Sequence, residues 1–236
     1  MPHSALVDGM LADIAAAADV RRQYSTGEAA AARHDLRRWQ AARLAKTHAD
    51  LLASPRYAKA ASFFLTDLYG PDGNISRYEQ AERVMPIAIR VLPQAGLEIL
   101  ADAWKLDALT ETLDAAMMDA LGGGVHTLTA EGYAAAYRRV GRGAERARQI
   151  DLIGVLAYAL QRLAANRYAA TSLALMRGPA RVAGVGDLQD FLARGLAALQ
   201  CLGDVASFVE TVTTRERSLM TSLLAGDSVL LGLSPG

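Results

Sequence analysis

The chain has 236 residues, 52% of them hydrophobic and 21% charged, which excludes a disordered tail and supplies enough apolar side chain for a sizeable core. Lys+Arg and Asp+Glu both number 25, so net charge gives no general pull toward nucleic acid or anionic lipid. The one cysteine, Cys201, excludes an intrachain disulfide and a cysteine-based zinc site. Alanine and leucine carry much of the apolar content while β-branched and aromatic residues are sparse, a mix that favours helix over strand.

In chain order, the first stretch holds Asp8 and Asp13 and has no basic region, so it does not read as a secretory leader. Ser25 and Glu28 have capping-box spacing and open a segment reaching about Ala53. Its stripe is mixed: Leu36, Leu44 and Leu51 share one side, into which Arg33, Arg37 and Gln40 intrude. Ser54-Pro55 reads as N-cap and N1 proline of a helix running through Phe63-Phe64-Leu65 to Tyr69, stopped by Gly70-Pro71. After a turn at Asp72-Gly73-Asn74, Ser76 and Glu79 form a second capping box. That helix should kink or end at Pro86.

Pro93 starts the next segment, which carries two apolar stripes. Leu97, Leu100, Ala101, Trp104 and Ala108 form one; Leu106, Leu109, Leu113 and Met117 lie opposite. A break near Lys105 is expected, with Asp107 as N-cap. Gly122-Gly123-Gly124 reads as a hinge, followed by a short helix from about Thr129 ending near Arg138 and Arg139. The segment from Gly143 to Met176 has an all-apolar middle, Leu152 to Leu160, expected to be buried all round and too short to cross a bilayer. Gly178-Pro179 should end it. Helices over Asp187 to Leu202 and Asp204 to Ala225, the latter capped by Gly226, close the chain. The expected fold is all-α: one domain over 1–236, a bundle of about eight helices, several kinked or broken, with a subdivision near 122–124. The expected location is cytoplasmic, without a membrane span.

Charge is segregated along the chain. Residues 67–120 hold ten acids against four bases, and residues 131–170 seven arginines against three acids, so acidic and basic helices are expected to face each other or a partner subunit. No histidine has a glutamate three residues before it, and His34 and His48 lie about 21 Å apart along a helix, so a di-iron centre is excluded. Neither a metal nor another cofactor is expected. His48 reads as a half-buried histidine bonded locally, and Cys201 as a packed thiol in a helix core. A Gly-x-Ser-x-Gly elbow and a phosphate loop are both absent. The arginines from Arg138 to Arg148 read as a solvated face, without nucleic-acid binding.

The most distinctive stretch is Phe63-Phe64-Leu65-Thr66-Asp67-Leu68-Tyr69, followed by a capped helix with Tyr78, Glu79, Glu82 and Arg83. It resembles the signature of the bacterial FFLEELY-motif proteins. Phe63, Phe64, Leu65, Leu68 and Tyr69 match, Asp67 conservatively replaces the second glutamate, and Thr66 replaces the first. The resemblance covers about seven residues. It implies a helical family of unassigned activity and supplies no catalytic residues.

Three functional readings follow. The first is a non-catalytic protein with an interaction or structural role, acting through an unknown protein partner or a homo-oligomer. Its contact surface is drawn from Phe63, Phe64, Asp67, Tyr69, Tyr78, Glu79, Glu82 and Arg83. The alternative is a binder of a small apolar ligand (lipid, isoprenoid or haem) between the 152–160 helix and the kink at Pro86. Gly154, Ala157 and Ala159 would leave room there beside Met117 and Trp104. A carboxylate enzyme using Asp67, Glu79 and Glu82 ranks last.

Overall fold

A computed structural model describes residues 3–64, 75–165, 171, 175, 177–228 and 231. It contains eleven α-helices, eight of them seven residues or longer, and no strand among the described residues. They are α1 (His3–Gln23), α2 (Gly27–Thr47), α3 (Ala49–Ala53), α4 (Ala58–Ser62), α5 (Ile75–Val91), α6 (Gln94–Leu121), α7 (Ala130–Val140), α8 (Gly143–Ala165), α9 (Arg177–Val182), α10 (Gly186–Gln200) and α11 (Val205–Ala225). A 3₁₀ turn, Gly122–Thr127, joins α6 to α7. No single helix is long and apolar enough to cross a membrane among the described residues.

Local chemistry sets several of these ends. The Thr129 hydroxyl accepts from the Gly132 N–H at the start of α7, and the Asp204 carboxylate accepts from the Ser207 N–H at the start of α11. Gly226, at φ +90°, ends α11 in the left-handed conformation that glycine adopts without a Cβ clash.

The long helix α6 lies along α1 and also meets α2, α7 and α8, while α11 packs on α7 and α8. One core cluster joins Leu36 of α2, Met117 of α6, Tyr133 of α7 and Leu219 and Leu223 of α11. A second joins Leu51, Ala60, Ala157, Leu199 and Phe208, and a third joins Met10, Met85 and Trp104. Each buried leucine or methionine contributes roughly 1.5–3 kcal/mol by leaving water.

Several expected interruptions do not occur. Helix α6 passes through Lys105 unbroken, and Asp107 is an interior residue rather than an N-cap. The two apolar stripes arise because α6 is packed on several sides, with a polar strip between them buried against α2. Helix α5 does not end at Pro86, which lies inside it with its side exposed; Met85 beside it is buried against Met10 and Trp104, and that packing outweighs the lost hydrogen bond. Gly178 and Pro179 do not end a helix: both lie within α9, which runs on past them to Val182. Ser25 does not cap α2: Gly27 turns the chain at φ +61°, and the Ser25 hydroxyl donates back to the Arg22 carbonyl. The glycine run is wound into the 3₁₀ turn, with Val125 buried against α2.

The 152–160 stretch is not covered all round, because Val155 and Tyr158 are exposed. Its small residues leave no chamber either: a Cβ on Gly154 would lie 3.2 Å from Val209 Cγ1. Cys201 is exposed just beyond the last turn of α10, within 3.8 Å of Lys59 Nζ, because the helix stops one residue before it.

Phe64 follows α4 into the second cluster, with the buried Phe63 ring edge-on beside it. Phe63 packs on Phe191 at 5.3 Å between ring centroids, and Phe64 stacks on Phe208 at 6.0 Å. The Phe63 ring lies directly over Gly195, where an added Cβ would meet its Cζ at 2.6 Å. Gly195→Ala is therefore expected to destabilise the protein by about 1–3 kcal/mol, read as a lower urea midpoint with unchanged helical circular dichroism. An unaltered midpoint would mean that the ring is not held there.

Candidate functional site

The densest polar chemistry is a seam between α1, α2 and α6. Arg33, Arg37 and Gln40 recur at i, i+4 and i+7 on α2, and Asp107, Glu111 and Asp114 repeat that spacing on α6. Each triplet therefore lines one helix face. Glu111 is completely buried. Its Oε1 accepts from Arg33 Nη2 at 2.7 Å and Arg37 Nη2 at 2.8 Å, with Arg21 Nη1 at 3.5 Å. Arg21 donates to Asp107 at 2.8 Å, and Gln40 Nε2 donates to Asp114 Oδ1 at 3.1 Å. Burial pushes the Asp107 and Asp114 carboxyls above their ordinary range, against the pull of Arg21 and Arg37. The acids of α6 are thus matched by arginines of residues 21–37, not by the basic 131–170 block.

One turn further along α2 the seam reaches α11. Arg43 Nη1 lies 2.6 Å from both Glu216 oxygens, and His48 Nε2 lies 2.9 Å from Oε1. Burial raises the Glu216 carboxyl, but Arg43 and His48 more than reverse it and hold it at about 2. His48 is fully buried, and its partner stands 168 residues away rather than nearby in sequence.

Helix α7 brings Tyr133 and Tyr137 to the same region one turn apart. Tyr133 stacks on Trp39 at 4.2 Å, and its hydroxyl lies 3.4 Å from Gln40 Nε2. At the turn into α8, Gly141 and Arg142 both take left-handed φ, +62° and +55°. That reversal puts the Arg146 guanidinium 3.6 Å above the Tyr137 ring, while Arg146 Nε donates to the Gly141 carbonyl at 3.0 Å. Burial raises the Tyr133 hydroxyl and pushes that of Tyr137 up to about 12, so both stay protonated donors at neutral pH.

These groups line a partly open cavity of about 60 Å³. Gln40, Arg43, Asp114, Tyr133, Tyr137, Arg146 and Glu216 supply its polar wall, and Leu113, Ile150, Leu219 and Leu223 its apolar one. Asp114 Oδ2 and Arg146 Nη2 are buried without a hydrogen-bond partner among the described residues. No group of three or more metal-ligating side chains is placed to hold an ion among those residues.

The residues singled out from the sequence are not gathered here. Phe64 packs on the second core cluster, Phe63 is buried against Phe191 and Gly195, Glu79 and Arg83 are exposed, and Asp67 and Tyr69 lie outside the described residues. Among the described ones, two approach the seam: Tyr78 lies under Arg21 at 4.3 Å, and Glu82 is 3.6 Å from Arg21. The signal that marked the seam was the intrusion of Arg33, Arg37 and Gln40 into an apolar stripe, matched in spacing by Asp107, Glu111 and Asp114.

The model of DUF8198, a domain of unknown function, matches residues 19–229. The chain belongs to this family. No curated protein and no solved structure matches it. The DUF8198 span contains every residue of the seam and cavity, from Arg21 to Leu223.

Proposed function

We propose that this DUF8198 chain is a non-catalytic binding protein that holds a small polar molecule in the cavity between α2, α6, α7, α8 and α11. The observation that carries this reading is Arg146 Nη2, buried in the cavity wall without a hydrogen-bond partner among the described residues. Burying such an atom unpaired costs about 1–3 kcal/mol, more for a charged group, which an occupant would recover. About 60 Å³ suits a molecule of a few heavy atoms. It is smaller than the cavity of roughly 150 Å³ that takes benzene, and far too small for the lipid, isoprenoid or haem of the apolar alternative. Thermal-shift screening of small polar solutes against benzene and short alkanes tests this. Stabilisation by polar solutes alone is expected, and stabilisation by the apolar probes alone would overturn the reading.

A second reading, contact with a protein partner, draws on Glu79 and Arg83, which stand exposed one helical turn apart on α5. It predicts that the Glu79→Ala/Arg83→Ala double variant loses a co-purifying protein. An unchanged set would sink it.

A further inference from the structure

Arginines 21, 33, 37 and 43 each have a carboxylate oxygen within 4 Å, at 2.8, 2.7, 2.8 and 2.6 Å respectively. Arg146 is as deeply buried, 6% exposed, yet has no carboxylate within that distance among the described residues. Its neighbours are the Tyr137 ring and the Gly141 carbonyl, neither of which carries a negative charge. A guanidinium does not shed its proton to escape burial, so its charge has to be met in place.

The two carboxylates in the cavity wall are already engaged. Asp114 faces Arg37 Nε at 3.3 Å and Gln40, and Glu216 is held by Arg43 and His48. With Glu216 held by Arg43 and Asp114 by Arg37, Arg146 is the wall cation left without a carboxylate among the described residues.

We infer that the cavity selects a compact monoanion, of the bicarbonate, acetate or glycolate kind, its negative end on Arg146. This rests on the small-polar-ligand reading above. The protonated Tyr133 and Tyr137 hydroxyls add donors for the anionic end. A dianion would leave one negative charge unmatched beside Glu216 and Asp114.

Calorimetric titration of the full chain separates the two readings. Bicarbonate, glycolate and acetate are the anionic probes, and acetamide and urea the neutral solutes. The three anions are expected to bind more tightly than the neutral solutes. Arg146→Met should weaken glycolate binding about tenfold to a hundredfold, with Arg146→Lys recovering part of it, provided circular dichroism shows both variants folded. If Arg146→Met does not fold, the ranking on the unaltered chain decides by itself. Neutral solutes binding as tightly as the anions would overturn the anion inference and leave the cavity reading standing. Binding by none of the five would overturn both readings.

Discussion

Replacing Glu111 by alanine is expected to remove about 3–5 kcal/mol of folding stability, the cost of breaking a buried ion pair from one side. Its Oε1 accepts from Arg33 and Arg37 and lies 3.5 Å from Arg21, in a position fully closed to water. Without it, three arginines of α1 and α2 would be left with Asp107, Asp114 and, for Arg21, the half-exposed Glu82. A protein of this size is stable by only about 5–15 kcal/mol, so the loss is a large part of the total. Urea unfolding should show the midpoint falling by roughly 1.5 M with little change in slope. Glu111→Gln keeps the shape and an acceptor oxygen but not the charge, and should fall between the parent and the alanine variant. An alanine variant within about 1 kcal/mol of the parent would mean that the arginines are satisfied by water instead.

The second large effect is an acid-dependent loss of stability through Glu216. Its carboxyl is held at about 2 in the folded protein, against an ordinary value of 4.5. A carboxyl depressed by folding contributes stability that is complete above its unfolded value and lost as pH falls through its folded value. The contribution is therefore full above about pH 4.5, declines between 4.5 and 2, and amounts to roughly 3 kcal/mol. Asp107 and Asp114 are shifted upward and act in the opposite sense, so the informative quantity is a difference. The parent minus Glu216→Gln, followed by urea unfolding from pH 6 to pH 2.5, should be flat above 4.5 and shrink below it. A constant difference across that range would remove Arg43 and His48 as the groups that hold the carboxylate.

Much of the secondary structure was legible because its signals are local. Thr129, Asp204 and Gly226 each act within one helical turn, and α7 and α11 begin and end where those residues stand. The end at Pro86 and the break at Lys105 do not occur, for the converse reason. A proline costs a helix a fixed local amount, but whether the helix continues depends on Met85 packing against Met10 and Trp104, residues far away in sequence. The side-switching of α6 looked like a break because a helix packed on one side has a single apolar stripe, whereas α6 is packed on several and buries its polar strip against α2.

The candidate site was only half legible. Arg33, Arg37 and Gln40 stood out as intruders, but Arg146 gave no sequence signal. It lies in a basic block that reads as a solvated face, and is drawn inward only by the left-handed turn at Gly141-Arg142. Cys201 went the other way, from expected core to exposed surface, since one residue decides whether a side chain lies inside the last turn of α10.

By itself, then, the amino-acid sequence determined that this DUF8198 chain is all-α and where most helices start and stop, because caps, glycines and periodicity act over a few residues. The tertiary structure alone decided which polar groups are buried together. Glu111 with Arg33 and Arg37, Glu216 with His48, and Arg146 without a carboxylate are set by contacts spanning 74 to 168 residues or by the packing around them. Charge pairing across such separations leaves no local pattern to read.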